Sequence, residues 1–600
     1  MKELLALTHD ELVEELWAAD PEVHRILVGS GDLHEARDRI FDHLNSLERH
    51  YFNIYSDRHY KDMSIAEKNN AKQCIRVLKN FIRTENERLT GASCLQILHA
   101  LARGERKGEE AGAGFLWELI FLLRGIHGHS GIASADLSPG GERRQSGALR
   151  SSELDGYSAM MDRWMARYPS GLDAGVVRAR EETKRAVLDY FGAHPEDWES
   201  YRWHIRHIID DRETLSSIVR LEEDELEGLR LADELGVPYQ LTPYYLSLFN
   251  RTGRRDFDRG VRAQVLPGER YCRNLKRMLE SGDDLDFMKE RWTTPIPGVT
   301  RRYPQILIIK PFDACPQICV YCQRNWEIRK LREARLDRAK VKRALEWVRG
   351  NEAIKEVLVT GGDPLALPNN ALEWVLGELA EIEHVERIRI GTRTPVTLPF
   401  RIDRGFLKLL RRYHEWGERE VCIVTHFEYP SELTPEALGA IKRLRALGIS
   451  VHNQQVFTYY NSRRFETAKL RRVLRLCGVL PYYTFNTKGK DETVDFRVPL
   501  ARIEQEVAEE ARLLPGVIRT DEPVFNVPRL GKSYLRAWQD HEPIMLLPDG
   551  RRVYRFYPWE ARLAPSEDYL FTDVSIFDYL MRLYRDGEEI EDYRTIWYYF

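Results

Sequence analysis

Cys315, Cys319 and Cys322 stand in the stretch 310–325, KPFDACPQICVYCQRN, spaced C-x3-C-x2-C directly after an apolar run at 306–309. Three thiols this close can turn three thiolates toward one point. A [4Fe–4S] cluster is ordinarily held by four cysteine thiolates, so three leave one iron open to a small molecule. The usual zinc frameworks ask for a fourth Cys or His at matching spacing. Here the nearest histidines are His204, His207 and His384, all distant in sequence. A disulfide reading fails on the odd count and on the lack of a secretory signature. Three unrelated core thiols would leave the spacing unexplained.

Further groups able to do chemistry follow apolar runs. Thr360-Gly361-Gly362-Asp363-Pro364 offers two glycines for close backbone approach to a ligand and an acceptor for an ammonium. Arg393, in RIGTRTP, can hold a carboxylate or a ribose, or form a surface salt bridge. His426 and Gln454 sit in TH and NQQ at later run ends. Lys532 follows a glycine in RLGKS, and a desolvated lysine amine can form a Schiff base. His127 and His129 read as a surface loop, since no third metal ligand is near in sequence.

The elements that must position these groups alternate. Short β-rich runs at 306–310, 356–360, 387–391, 420–425, 450–457 and 480–486 are separated by amphipathic helical patterns. Six such units predict a parallel sheet with right-handed crossovers, an α/β incomplete (β/α)6 barrel whose site lies at the C-terminal strand ends. Residues 1–190 read as a helical region, with no assigned role, and 191–300 as a helical segment leading into the barrel. The barrel runs over 301–515, and 516–600 is a C-terminal segment with a strand at 551–557 and a helix at 575–584. Residues 137–158, rich in Ser, Gly and Arg, read as a flexible loop. The apolar patch at 114–123 contains Glu118 and is too short to span a bilayer, so it reads as a buried helix. The terminal IWYYF is expected to bury within the chain or against a second subunit.

Over the 600 residues, 43% hydrophobic and 31% charged content describes a soluble globular protein. A net charge of −4 argues against nucleic-acid or membrane partners. Few cysteines and no signal-peptide pattern suggest a reducing cytoplasm.

The cysteine loop resembles the radical S-adenosylmethionine (SAM) superfamily. From about 198 to 541 the chain resembles the lysine 2,3-aminomutase family within it, through TPYYLSL, PIPGVTRRYP, TGGDPL, RIGTRTPV, THFEYP, HNQQV, PYYTF and the GK before SYL. The resemblance implies a barrel holding a [4Fe–4S] cluster, SAM and pyridoxal 5′-phosphate (PLP). Cys315, Cys319 and Cys322 would bind the cluster. Tyr321, Gly361, Gly362, Asp363, Arg393, His426 and Gln454 would border SAM. Lys532 would form the PLP imine, Arg302 and Tyr303 would lie near its phosphate, and Arg324 would grip the substrate α-carboxylate. Three departures stand out. The second phosphate arginine of the family falls at Ile306. The glycine-rich run before the PLP lysine is shortened to Arg529-Leu530-Gly531. The C-terminal zinc cysteines of some members are absent, so no zinc is expected.

The implied activity is an isomerase reaction, an amino-acid 2,3-aminomutation. Its electron would come from a flavodoxin or ferredoxin, and the enzyme would be a homo-oligomer. Two aspartates that hold the distal ammonium in lysine-specific members correspond here to Lys488 and about Asn526. That exchange favours a carboxylate and resembles the glutamate 2,3-aminomutase branch, which implies conversion of L-glutamate to β-glutamate. Lys490 competes with Lys488 for the assignment. A lysine-specific aminomutase, a PLP-independent radical SAM enzyme and a non-catalytic iron–sulfur protein are the other readings.

Overall fold

The structure, a computed structural model, describes residues 1–51, 63–132, 147–536, 540–557 and 567–599. The chain forms two compact units. One comprises 161–497 and 510–534, the other 1–160, 498–509 and 535–600.

The first unit is built on a nine-stranded sheet whose spatial order follows the sequence, β1 to β9. Seven strands are parallel: β2 (Ile306–Phe312), β3 (Glu356–Gly361), β4 (Arg387–Gly391), β5 (Glu420–Thr425), β6 (Ser450–Phe457), β7 (Leu480–Asn486) and β8 (Glu522–Val527). Short antiparallel strands close the two edges, β1 (Val299–Arg301) on β2 and β9 (Gly531–Tyr534) on β8. Helices Arg338–Arg349, Asn369–Ala380, Arg404–Tyr413, Pro435–Ala446 and Glu466–Leu476 make the crossovers from β2 to β7. A sheet that grows one strand at a time through crossover helices curls into an open half-barrel, the expected architecture.

The strands have two unlike faces. Leu307, Ile309, Val357, Val359, Ile388, Ile390, Val421, Ile423 and Val451 are buried in one core with the crossover helices. The other face carries half-buried polar and aromatic groups: Arg389, His452, Gln454, Tyr483, Asn526 and Lys532. Strand periodicity of two separates these sets.

All six expected strands are present. The seventh parallel strand, β8, was hidden by Pro523 inside it and Pro528 just after it, residues that argue against a central strand in a bare sequence. Its hairpin to β9 turns through Pro528-Arg529-Leu530, with Arg529 at φ 65° and Gly531 at φ 103°. A Cβ on Gly531 would stand 2.6 Å from Tyr303 Oη, so only glycine fits.

The other unit packs helices from the N-terminal region with a three-stranded antiparallel sheet, β10 (His541–Leu546), β11 (Arg552–Phe556) and β12 (Tyr569–Thr572). Helix Ala113–Ile126 is buried along most of its length, as expected, and its Glu118 takes the Arg552 guanidinium at 2.8–3.1 Å. The terminal aromatics pack within this unit, Trp597 stacking on Phe121 at 4.7 Å. The loop expected at 137–158 is corrected in part. Residues from 147 belong to helix Gly147–Ala166, where Ala148, Leu149, Arg150, Glu153 and Leu154 favour helix over the Ser and Gly content. Residues 137–146 lie outside the described set. No described helix is long and apolar enough to cross a membrane.

Candidate active site

The cysteine loop leaves β2 and is stapled from two sides. Ile318 N–H donates to Gln240 O at 3.0 Å, Val320 N–H to Gln264 O at 2.8 Å, and Gln240 Nε2 donates to Cys315 O. These glutamines come from the helical segment that precedes the barrel in sequence. On the sheet side, Gly362 N–H donates to Phe312 O and Asp363 N–H to Ala314 O, at 2.8 and 2.9 Å. A Cβ on Gly362 would sit 2.3 Å from Ala314 O, so its glycine identity lets β3 close against the cysteine loop. Burial raises the Cys315 and Cys319 thiols above their ordinary value, and Arg393 opposes that shift at Cys319 by donating Nη1–H to its sulfur at 2.9 Å.

Arg393 is a hub. Its Nη2 donates to Glu432 Oε1 at 2.7 Å and Gln264 Oε1 at 2.6 Å, and its Nε to His426 O at 3.2 Å. Tyr321 Oη donates to the same Gln264 oxygen at 2.9 Å, and its ring meets Phe496 edge-on. Asp363 is 5% exposed and accepts from Thr392 Oγ1 (2.6 Å), Arg393 N (2.9 Å), Leu365 N (2.9 Å) and Thr394 Oγ1 (3.1 Å). Its carboxylate therefore ties the TGGDP and RIGTRTP loops together rather than projecting a spare acceptor. His426 lies half-buried with Nδ1 3.6 Å from Glu428 Oε1. Gln454, on the polar face of β6, makes no side-chain hydrogen bond to the described residues and is free to meet a ligand.

A cationic centre follows the third cysteine. Arg324 approaches Glu290 with Nε at 3.0 Å and Nη2 at 2.9 Å, Lys310 Nζ lies 3.4 Å from the same carboxylate, and Arg302 Nη2 lies 3.5 Å away. Burial would raise Glu290, yet Arg324, Arg302 and Lys310 bring it down to about 2. The cations exceed what this carboxylate satisfies. Arg302 Nε is buried without a hydrogen bond among the described residues, Arg302 Nη2 has only its 3.5 Å approach to Glu290, and Arg324 Nη2 and Glu290 Oε1 face each other at 2.9 Å. The spare donors of Arg302 suit an anion, because a buried unpaired donor costs about 1–3 kcal/mol.

Lys488 and Lys490 part company here. Lys490 Nζ is consumed by Glu492 at 2.8 Å and by Asn325. Lys488 has no carboxylate within 4 Å among the described residues, and its Nζ lies 5.6 Å over the Phe485 ring. Burial, then Arg302 and Arg324, lower it to about 7. It therefore bears on the same cationic centre.

Lys532 faces Asn526 across the β8–β9 hairpin as a direct register pair, so both side chains share the polar face of the sheet. Its backbone N–H and Nζ both donate to Tyr303 Oη, at 2.9 and 3.3 Å, and its Nζ sits over the Tyr303 and Tyr483 rings at 4.6 and 4.9 Å. Burial, with Arg389 and Arg302, pushes its amine down to about 8. That is the condition a lysine needs to act as a nucleophile near neutral pH. Ile306, at the start of β2, supplies no donor.

Sequence reasoning passed over Glu290, Gln264, Glu432 and Arg389. Arg389 opens the RIGTRTP motif, which was the available signal, while its contacts with Glu356 and Tyr482 appear only in the fold. The other three carry no local motif. The residues present suit the implied groups. The three thiols lie close enough to bear electrostatically on one another. Arg302 has donors to spare for a phosphate, and Lys532 is a desolvated amine beside it.

Residues 309–466 match the model of the Radical SAM superfamily. The chain is 40% identical to an uncharacterized KamA family protein of Methanocaldococcus jannaschii over 98% of this chain and 97% of that protein. It is 32% identical to a glutamate 2,3-aminomutase of Clostridioides difficile over 67% of this chain and 91% of the relative. It is also 32% identical to an L-lysine 2,3-aminomutase of Acetoanaerobium sticklandii, over 53% of this chain and 74% of the relative.

Proposed function

Because the chain belongs to the KamA family of radical SAM proteins, we propose that it is a PLP-dependent amino-acid 2,3-aminomutase converting L-glutamate to β-glutamate. The observation that carries the substrate is Lys488, an unpaired cation bearing on Arg302 and Arg324, with the neutral amide Asn526 paired to Lys532 across the hairpin. Two carboxylates on one substrate answer this surplus of positive charge. A distal ammonium would meet a like charge.

Cys315, Cys319 and Cys322 would hold the cluster, with SAM bordered by Tyr321, Gly361, Gly362, Arg393, His426 and Gln454. When bound, the cluster and SAM supply a radical able to take a hydrogen atom, and PLP supplies an aldehyde and a conjugated ring for the migrating nitrogen. The protein's work is placement. Arg393 orients Cys319 and donates to its sulfur. Asp363 locks the two loops that flank the cysteines. Arg302, with Tyr303 beside it, would receive the phosphate, and Arg389 adds a second cation near Lys532 where Ile306 offers none. Among the described residues nothing hydrogen-bonds Arg324 Nη1, and this edge would take the α-carboxylate while Glu290 steadies the other. The Tyr303 and Tyr483 rings shield the Lys532 amine and hold it deprotonatable. A flavodoxin or ferredoxin in a reducing cytoplasm would donate the electron to a homo-oligomeric enzyme.

The test offers glutamate, lysine, aspartate and alanine to the anaerobically reduced enzyme and resolves β-amino products by mass spectrometry. β-Glutamate is expected, with loss of its formation in Lys488→Ala while deoxyadenosine release from SAM persists. Borohydride should fix a reduced PLP adduct on Lys532. Preferential turnover of lysine would overturn the substrate, and a cluster without the adduct would point to a PLP-independent enzyme.

A further inference from the structure

Three side chains in the unit containing the N-terminal helices meet from distant parts of the sequence. Asp20 lies between helices His9–Ala19 and Pro21–Gly29, His43 on helix Leu33–Tyr51, and His127 directly after helix Ala113–Ile126. Asp20 is 1% exposed. Its Oδ1 caps helix Pro21–Gly29, accepting from Glu22 N at 3.1 Å and Val23 N at 3.0 Å. That leaves Oδ2 aimed away from the helix, 2.8 Å from His127 Nε2 and 3.3 Å from His43 Nε2. The ligand atoms of all three residues lie within 4.8 Å of one another.

A sequence reading of His127 and His129 finds no third ligand nearby, whereas the fold brings Asp20 and His43 to His127. Metal bonds of about 2.0–2.1 Å set neighbouring ligand atoms about 3.0–3.4 Å apart, close to the spacing of Oδ2 from the two imidazole nitrogens. Two imidazoles and one carboxylate suit zinc, iron, manganese and their neighbours. The cap bonds to Oδ1 fix the carboxylate's orientation, as hydrogen bonds to a ligating carboxylate do in built metal sites. His127 also lines an open cavity of 570 Å³ together with His129, Arg124 and Glu15, so solvent or an anionic ligand can approach from that side.

We propose that Asp20, His43 and His127 form a site for a divalent transition-metal ion, separate from the cysteine centre and completed by water or an anion from the cavity. The probe is Zn²⁺, titrated into full-length protein with its cluster assembled and loosely held metal removed. Zinc is counted by elemental analysis, and its neighbours are read by X-ray absorption at the zinc edge. One zinc per chain is expected, with nitrogen and oxygen neighbours at about 2.0–2.1 Å and imidazole scattering beyond them. His43→Gln and His127→Gln should drop zinc to the buffer background with iron content unchanged, and His129→Gln should retain it. Asp20→Asn preserves the helix cap, because asparagine caps as well as aspartate, but removes the anionic ligand, so it separates lost binding from lost folding. No retained zinc, zinc held equally by the His43 and His127 variants, or sulfur neighbours at about 2.3 Å would overturn the site.

Discussion

Two buried arginine–glutamate centres, one in each unit, look alike by burial and differ in how they close. Arg552 turns Nε and Nη2 onto Glu118, Nη1 onto Tyr554 Oη, and its face onto the Tyr599 ring at 4.8 Å. No polar atom of that pair is left unsatisfied among the described residues. Glu290 instead faces Arg324, Arg302 and Lys310 at once, and Arg302 Nε beside it has no hydrogen bond among the described residues. A closed pair joins secondary elements. A centre with more cations than carboxylates suits an anionic ligand, the role proposed for it above.

The sharpest break of this comparison removes the arginine from each centre. Arg324→Ala is expected to lower glutamate turnover, measured as kcat/KM, by about a thousandfold while changing unfolding stability little, because Arg302 and Lys310 still neutralise Glu290. Arg552→Ala leaves Glu118 buried without its counterion and should lower unfolding stability by about 3–5 kcal/mol in denaturant titrations. If both variants lose stability equally and Arg324→Ala keeps turnover, the two centres are of one kind.

A smaller effect is expected from the carboxylate. Glu290→Gln takes away the charge that holds Arg302 and Arg324 apart from solvent-borne anions. The protein without ligands should lose about 2–3 kcal/mol, by the cost of leaving buried charge uncompensated. Inorganic phosphate or PLP should then restore more melting temperature in the variant than in the natural protein, since a ligand raises stability through binding to the folded state. A loss that phosphate does not recover would place Glu290 with Glu118 as a closed structural pair.

The sequence disclosed the strands of the barrel because each apolar run is punctuated by Gly, Pro or a charged turn. The runs read at 387–391, 420–425, 450–457 and 480–486 are strands over those same residues. It disclosed the cysteine loop and Lys532 because those residues sit in motifs. Glu290 stayed hidden in the charged string KER, since its partners lie 12 to 34 positions away and a lone glutamate is ordinarily solvated. The choice between Lys488 and Lys490 had no local answer either. Both stand in KGK, and only the fold brings Glu492 to one and leaves the other facing arginines. Asp20, His43 and His127 are separated by helices, so spacing rules built for metal motifs could not join them.

The mildest test of the open centre is a titration. Lys488, lowered to about 7 by burial and by Arg302 and Arg324, would bind the proposed distal carboxylate as the ammonium form. Below that value the free enzyme carries the charge, and above it the charge is lost, so kcat/KM for glutamate should hold steady at acid pH and decline as pH rises. The expected loss is about tenfold at pH 8, since kcat/KM follows the ionisations of the free enzyme. Lys532 near 8 works in the opposite sense, because a higher pH frees its amine for the cofactor. Saturating the protein with PLP before the assay removes that second influence. Lys488→Arg keeps a cation that does not titrate in this range, so its profile should stay flat through pH 8 even if its turnover is lower. A natural enzyme whose kcat/KM is level from pH 6 to 8, or a Lys488→Arg variant that keeps the same decline, would show that the distal carboxylate is held by some other group.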